Sequence, residues 1–136
     1  MTSAAIQPGA ISSAQLRVQS SDLASAISSD SQDAFPGVFA MARLVALMEI
    51  ASARALKPLL QPGQLSVGVS IDMTHTALTP PSAEVTAEAT YRDRHEKLQV
   101  FDVVAEGRLA GLSTRGPLLM LRDWRRRPGR GSEQRQ

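Results

Sequence analysis

Two residues in this sequence stand where a proton could be moved. Glu49 lies in an alanine- and leucine-rich stretch, and its neighbours at i−4, i−3, i+3 and i+4 are Val45, Ala46, Ser52 and Ala53. None of these is a cation, and Arg43 and Arg54 fall on other faces of the helix the stretch predicts. An unpaired buried carboxylate is costly, so Glu49 either faces an opening or meets a partner from elsewhere in the fold. It reads as an exposed rim carboxylate or as a functional acid. His75 ends an alternating stretch beside Thr74 and Thr76, just before Thr79-Pro80-Pro81. Strand ends and loops display functional groups, although a hydrogen-bonded surface histidine fits there too. His95, among Asp93, Arg94, Glu96 and Lys97, reads as solvated. No two histidines have ligand spacing, so no metal site is expected. With no cysteine, disulfides, thiolate ligands and cysteine nucleophiles are excluded. A glycine-rich phosphate loop and a G-x-S-x-G elbow are also missing.

The elements that must position these groups follow from periodicity. Gln15 to Gln19 alternates as a half-buried strand, and Ser20 to Asp22 supplies a turn or a cap. After Pro36-Gly37, the stretch from Val38 to Leu60 predicts a helix ending near Lys57-Pro58. That helix has almost no polar face and should be enclosed by other elements. Beyond Pro62-Gly63 the period becomes two. Leu65, Val67, Val69, Ile71 and Met73 alternate with small or polar residues, which predicts a strand. Gly68 interrupts it, marking either a bulge or a place where a ligand or another backbone comes close. Further strands are predicted over Ala83–Tyr91, Leu98–Glu106 and Leu109–Leu121. Consecutive hairpin strands and one apolar helix make an α+β fold, with an antiparallel sheet wrapped around the helix. A sheet this short closes less than a full turn, so a homodimer is expected.

With 136 residues, 43% of them hydrophobic and 21% charged, the chain should form one folded domain. The expected divisions are a flexible lead-in over 1–13, a domain over 14–122 and a basic disordered tail over 123–136. The net charge is +2, but six arginines from Arg122 onward leave the rest of the chain slightly acidic. The arginines lack interleaved aromatic residues, so nucleic acid is not an expected partner. No apolar run approaches a membrane span, and no lysine or arginine precedes Arg17 as in a signal peptide. A cytoplasmic protein is expected.

Several segments resemble the hotdog-fold thioesterases of the fluoroacetyl-coenzyme A thioesterase type. They are Val38-Phe39-Ala40, Leu44 to Glu49, Pro62-Gly63-Gln64-x-Ser66-Val67-Gly68, and Asp72-x-Thr74-His75-Thr76-Ala77-x-Thr79-Pro80. The resemblance extends from about Gln15 to Leu121 and implies a dimeric hotdog fold. In that family a threonine near the helix start, a glutamate eight residues on and a histidine ending the next strand form the catalytic group. Glu49 and His75 match the last two. Met41 stands at the first, where its thioether cannot act as a hydroxyl does. Gly68 matches the glycine whose backbone N–H lies near the thioester carbonyl. The family's closing Gly-Thr-His-x-Arg stretch is replaced by Leu112-Ser113-Thr114-Arg115-Gly116-Pro117, with Arg115 as a displaced substitute at best.

The activity so implied is hydrolysis of a small or medium acyl thioester of coenzyme A, or of an acyl carrier protein. The thioester is the substrate, and no cofactor is expected. Glu49 would attack the carbonyl or activate a water, the Gly68 N–H would stabilise the oxyanion, and His75 would assist proton transfer. Met41 would line the acyl pocket, with Phe35, Val38 and Phe39 as its wall or lid. The alternative is a non-catalytic dimer that binds acyl thioesters or acts as a scaffold.

Overall fold

The computed structural model describes residues 9–75, 78–96 and 98–109, together with the backbone of 119–130. Five strands and one α-helix follow in the order β1 (Ile11–Arg17), α1 (Met41–Leu56), β2 (Gln64–His75), β3 (Glu84–His95), β4 (Leu98–Arg108) and β5 (Leu119–Arg130). The strands form one antiparallel sheet in the order β1-β3-β4-β5-β2, with α1 packed across β1, β3 and β4. The expected sheet around a helix is present.

The helix is shorter than its composition predicts, at both ends for backbone reasons. Val38 to Ala40 is held as an extended strap: the Ala24 N–H donates to Val38 O at 2.7 Å, Ala40 N–H to Asp22 O at 2.9 Å and Phe39 N–H to Thr79 O at 2.8 Å. At the other end Pro58 has no N–H to continue the ladder, and the chain tightens into a 3₁₀ turn over Lys57–Leu59. Two more 3₁₀ turns are present, Ser20–Asp22 where a turn or cap is expected and Ala24–Ala26 just beyond it.

Two strand expectations need correction. β1 starts at Ile11, inside the stretch read as a loose lead-in, because Ile11 to Arg17 pairs residue by residue with Thr90 to Glu84. The last described strand runs over Leu119–Arg130, past the expected end at Leu121, while 110–118 of the expected Leu109–Leu121 strand lie outside the described residues. It carries most of the arginine-rich segment read as a disordered tail. Backbone hydrogen bonding to β2 on one side and β4 on the other does not depend on side-chain type, so composition alone misjudged it.

The core lies between α1 and the inner face of β1, β3 and β4. The sheet offers small side chains there, with Ala14, Ala87, Ala89 and Ala105 all buried beside Val85, Phe101 and Val103. Against them α1 sets Leu44, Leu47, Met48, Ala51, Ala55 and Leu56. Small residues on both surfaces let the backbones approach and the larger ones interdigitate. Ser52 is also buried, and its hydroxyl donates to Glu49 O at 3.0 Å. The outer face of β3 is polar, and the exposed ion pairs Arg17–Glu84 and Arg92–Asp102 link it to β1 and β4. Among the described residues α1 is not fully enclosed. Met41 and Ile50 remain 53% and 45% exposed, so the sheet covers one side of the helix only. No helix among the described residues is long and apolar enough to cross a membrane.

Candidate active site

Glu49 sits on the border of the buried stripe of α1. Val45, Glu49 and Ala53 form an i, i+4, i+8 row of half-buried residues between the core side and the exposed side. Met41 begins the same ridge, about 12 Å before Glu49 along the axis at 1.5 Å per residue. The first residues of α1 are tied down by Asp22: its carboxylate accepts from Gln19 N–H at 2.9 Å and lies 3.9 Å from the Arg43 guanidinium.

Strict alternation along β2 would put Gly68 and His75 on opposite faces of the sheet. They share one face because the register with β5 slips between Gly68 and Ser70, a bulge at Val69. Read across the β5 backbone, His75 aligns with Ala105, Met73 with Val103, Ile71 with Phe101 and Gly68 with Gln99. All four β4 residues are buried. Directly opposed residues share a face, so Gly68, Ile71, Met73 and His75 belong to the side that carries α1. The bulge interrupts the ladder beside Gly68, which is how a strand offers a backbone group to something other than its neighbour.

The remaining predicted residues divide. Val38 is half-buried in the strap that precedes α1. Phe39, 1% exposed, is a core residue. Phe35 is 53% exposed, in a loop organised by its own polar side chains: the Ser28 hydroxyl donates to Asp33, and Gln32 N–H donates to the Asp30 carboxylate at 2.9 Å. The exposed Met41 leads the helix beyond the strap. Arg115 and the segment Leu112–Pro117 lie outside the described residues, as do Thr76 and Ala77.

Two features escaped the sequence reading. Thr79, taken only as part of a chain break, is 2% exposed, and among the described residues its Oγ1 has no hydrogen-bond partner; neither has the buried His75 Nε2. The second is a groove of about 650 Å³ along the later half of α1, where Ile50, Ala53, Arg54 and Lys57 face Leu60 to Pro62 and the start of β2. It runs beside the ridge of Glu49 without including Glu49, Gly68 or His75. The i, i+3, i+4, i+7 spacing of its helix residues was the available signal. No three histidine, aspartate or glutamate side chains among the described residues cluster as a metal site requires.

The family of fluoroacetyl-CoA-specific thioesterases matches residues 18–111 of this chain. The chain belongs to that family. A curated fluoroacetyl-CoA thioesterase from Streptantibioticus cattleyicolor is 52% identical over 58 residues. The aligned stretch spans 43% of this chain and 42% of that relative, less than half of either. Solved structures extend the likeness over nearly the whole chain. A fluoroacetyl-CoA thioesterase structure, 27% identical, covers 97% of this chain and 94% of its own with a TM-score of 0.81. A phenylalanine-to-alanine variant of the fluoroacetyl-CoA-specific thioesterase, in complex with fluoroacetate and CoA, is 28% identical over 93% of this chain and 98% of its own, with a TM-score of 0.77. The hotdog architecture expected from the resemblance is the one this chain has.

Proposed function

We propose that this protein hydrolyses a small or medium acyl thioester of coenzyme A, or of an acyl carrier protein, with Glu49 and His75 as the catalytic pair. Membership of the thioesterase family supports the reaction class, and the bulge at Val69 supports the site, because it brings Gly68 and His75 to the side of the sheet that carries Glu49. The Glu49 carboxylate either takes a proton from a water that attacks the carbonyl carbon, or attacks that carbon itself to give a mixed anhydride that water then cleaves, releasing the acid and restoring Glu49. The carbonyl oxygen then gains negative charge, which the Gly68 N–H stabilises. As the carbon–sulfur bond breaks, His75 delivers a proton to the leaving thiolate. Met41, Val38 and Phe35 border the acyl side of this site, with the buried Phe39 packed behind them.

The active form is a homodimer. Leu65, Val67, Val69 and Ile71 are each exposed by 39% to 53% on β2, an edge strand of the sheet. A second copy paired along this edge meets both faces of β2, with Leu65 and Val67 on one and Ile71 beside the open side of α1 on the other.

Thiol release from short, branched and aromatic acyl-coenzyme A substrates tests the reaction. Turnover by the wild type that falls by about 100-fold or more in Glu49→Gln and His75→Ala is the expected result. An active Glu49→Gln variant overturns the mechanism. Saturable binding without turnover on any substrate replaces it with a non-catalytic acyl-thioester-binding dimer.

A further inference from the structure

Among the described residues, two buried side-chain polar atoms have no hydrogen-bond partner: His75 Nε2 and Thr79 Oγ1. Leaving such an atom unsatisfied costs about 1–3 kcal/mol, so each needs a reason. Packing does not supply one for Thr79. Its side chain is 2% exposed, and a valine would fill the same volume without a hydroxyl to bury. The two atoms also belong to one short stretch of chain. His75 ends β2 on the α1 side of the sheet, and four residues later Thr79 is pinned beside the start of α1 by the 2.8 Å bond from Phe39 N–H to its carbonyl. Four residues of chain keep the two Cα atoms within about 14 Å of each other, so one small polar group between the side chains can serve both. A threonine hydroxyl both donates and accepts and rotates freely, so it suits either tautomer of a neutral imidazole. A buried water needs roughly two to four polar partners, and these two orphans supply two of them.

We propose that Thr79 is a positioning residue whose Oγ1 shares one buried water with His75 Nε2, holding the imidazole in the orientation from which it serves the thioester. The role in turnover rests on the thioesterase reading above; the coupling of Thr79 to His75 does not.

The test compares the full-length wild type with Thr79→Val and Thr79→Ser. The readouts are the ¹⁵N resonances of the His75 ring, assigned against His95→Gln, together with thermal stability and thiol release. Thr79→Val should move the His75 Nε2 resonance and lower kcat about tenfold, the worth of roughly one hydrogen bond to a reacting group, while KM stays within about twofold. Thr79→Ser should restore both. An unchanged resonance in a more stable, equally active Thr79→Val protein overturns the proposal, since the hydroxyl is then only buried. So does lost turnover with an unchanged resonance, or failure of the serine to rescue. If the wild type cleaves no thioester, the functional reading falls alone, and the resonance comparison still decides whether the two residues are coupled.

Discussion

Strands β2 and β3 obey the same sequence rule with opposite outcomes. Each alternates apolar with polar or small residues over about the same length. In β3 the apolar set, Val85, Ala87, Ala89 and Tyr91, is buried under α1. In β2 the apolar residues Leu65, Val67, Val69 and Ile71 stay exposed, and the bulge at Val69 puts Leu65 and Val67 on the face opposite Ile71. The difference comes from position in the sheet. β3 lies between β1 and β4 beneath the helix, whereas β2 is an edge with little of α1 over it. Alternation leaves open what covers a set of side chains and, where a bulge slips the strand, which of them share a face. One half of this molecule is closed by its own chain. The other half, which holds the bulge at Val69 and the exposed Met41 and Ile50 of α1, is left uncovered among the described residues.

The sharpest way to break that comparison is to charge the open half. Leu65→Lys with Val67→Lys places two cations on the edge strand, which opposes pairing with a second copy. Sedimentation velocity should find the wild type dimeric and the double variant monomeric, with the same far-ultraviolet circular dichroism. A monomeric wild type, or a variant that still associates, would remove the second copy as the cover of this face. The next effect belongs to the closed half. Ala89 is fully buried opposite Val103, so Ala89→Leu must displace α1 or its neighbours and should cost about 1–3 kcal/mol by chemical denaturation. Its neighbour Glu88 points to the polar outer face, and Glu88→Leu should stay within about 0.5 kcal/mol. Equal costs at the two positions would mean that the faces are not as different as their burial indicates.

How much of this was legible follows the same division. The long helix, the strand after Pro62-Gly63 and the β3–β4 pair are local patterns, and they were readable from spacing alone. The place of Glu49 was readable only as a choice between an opening and a partner from elsewhere in the fold, and the residue is half-buried at the border of the helix's core stripe. What could not be read depends on partners far away in the chain. The pairing of β5 with β2 turned an arginine-rich segment into a strand, and one slipped residue at Val69 decided that Gly68 and His75 share a face. Thr79 was hidden for a different reason. Next to two prolines it reads as a break in structure, and nothing local says that its hydroxyl is buried.

Tyr91 offers the smallest and most specific test of the closed half. Its ring meets Phe101 edge to face at 5.5 Å, and its hydroxyl donates to Gln99 Oε1 at 2.8 Å within the buried region. Burial is the main cause that raises its hydroxyl pKa above the ordinary tyrosine value, reinforced by Asp93 and opposed by Arg94. The folded state therefore holds this proton more tightly than the unfolded chain. Its contribution to stability is fully present below pH of about 10 and is lost as the pH rises through the folded value. Tyr91→Phe should cost about 1–2 kcal/mol at neutral pH, because Gln99 Oε1 is left buried without its donor. Since phenylalanine has no proton to lose, the gap between the two proteins should narrow in urea titrations carried above pH of about 10. A gap that stays constant from neutral to alkaline pH would mean that the Tyr91 hydroxyl is no better shielded than the groups on the open half.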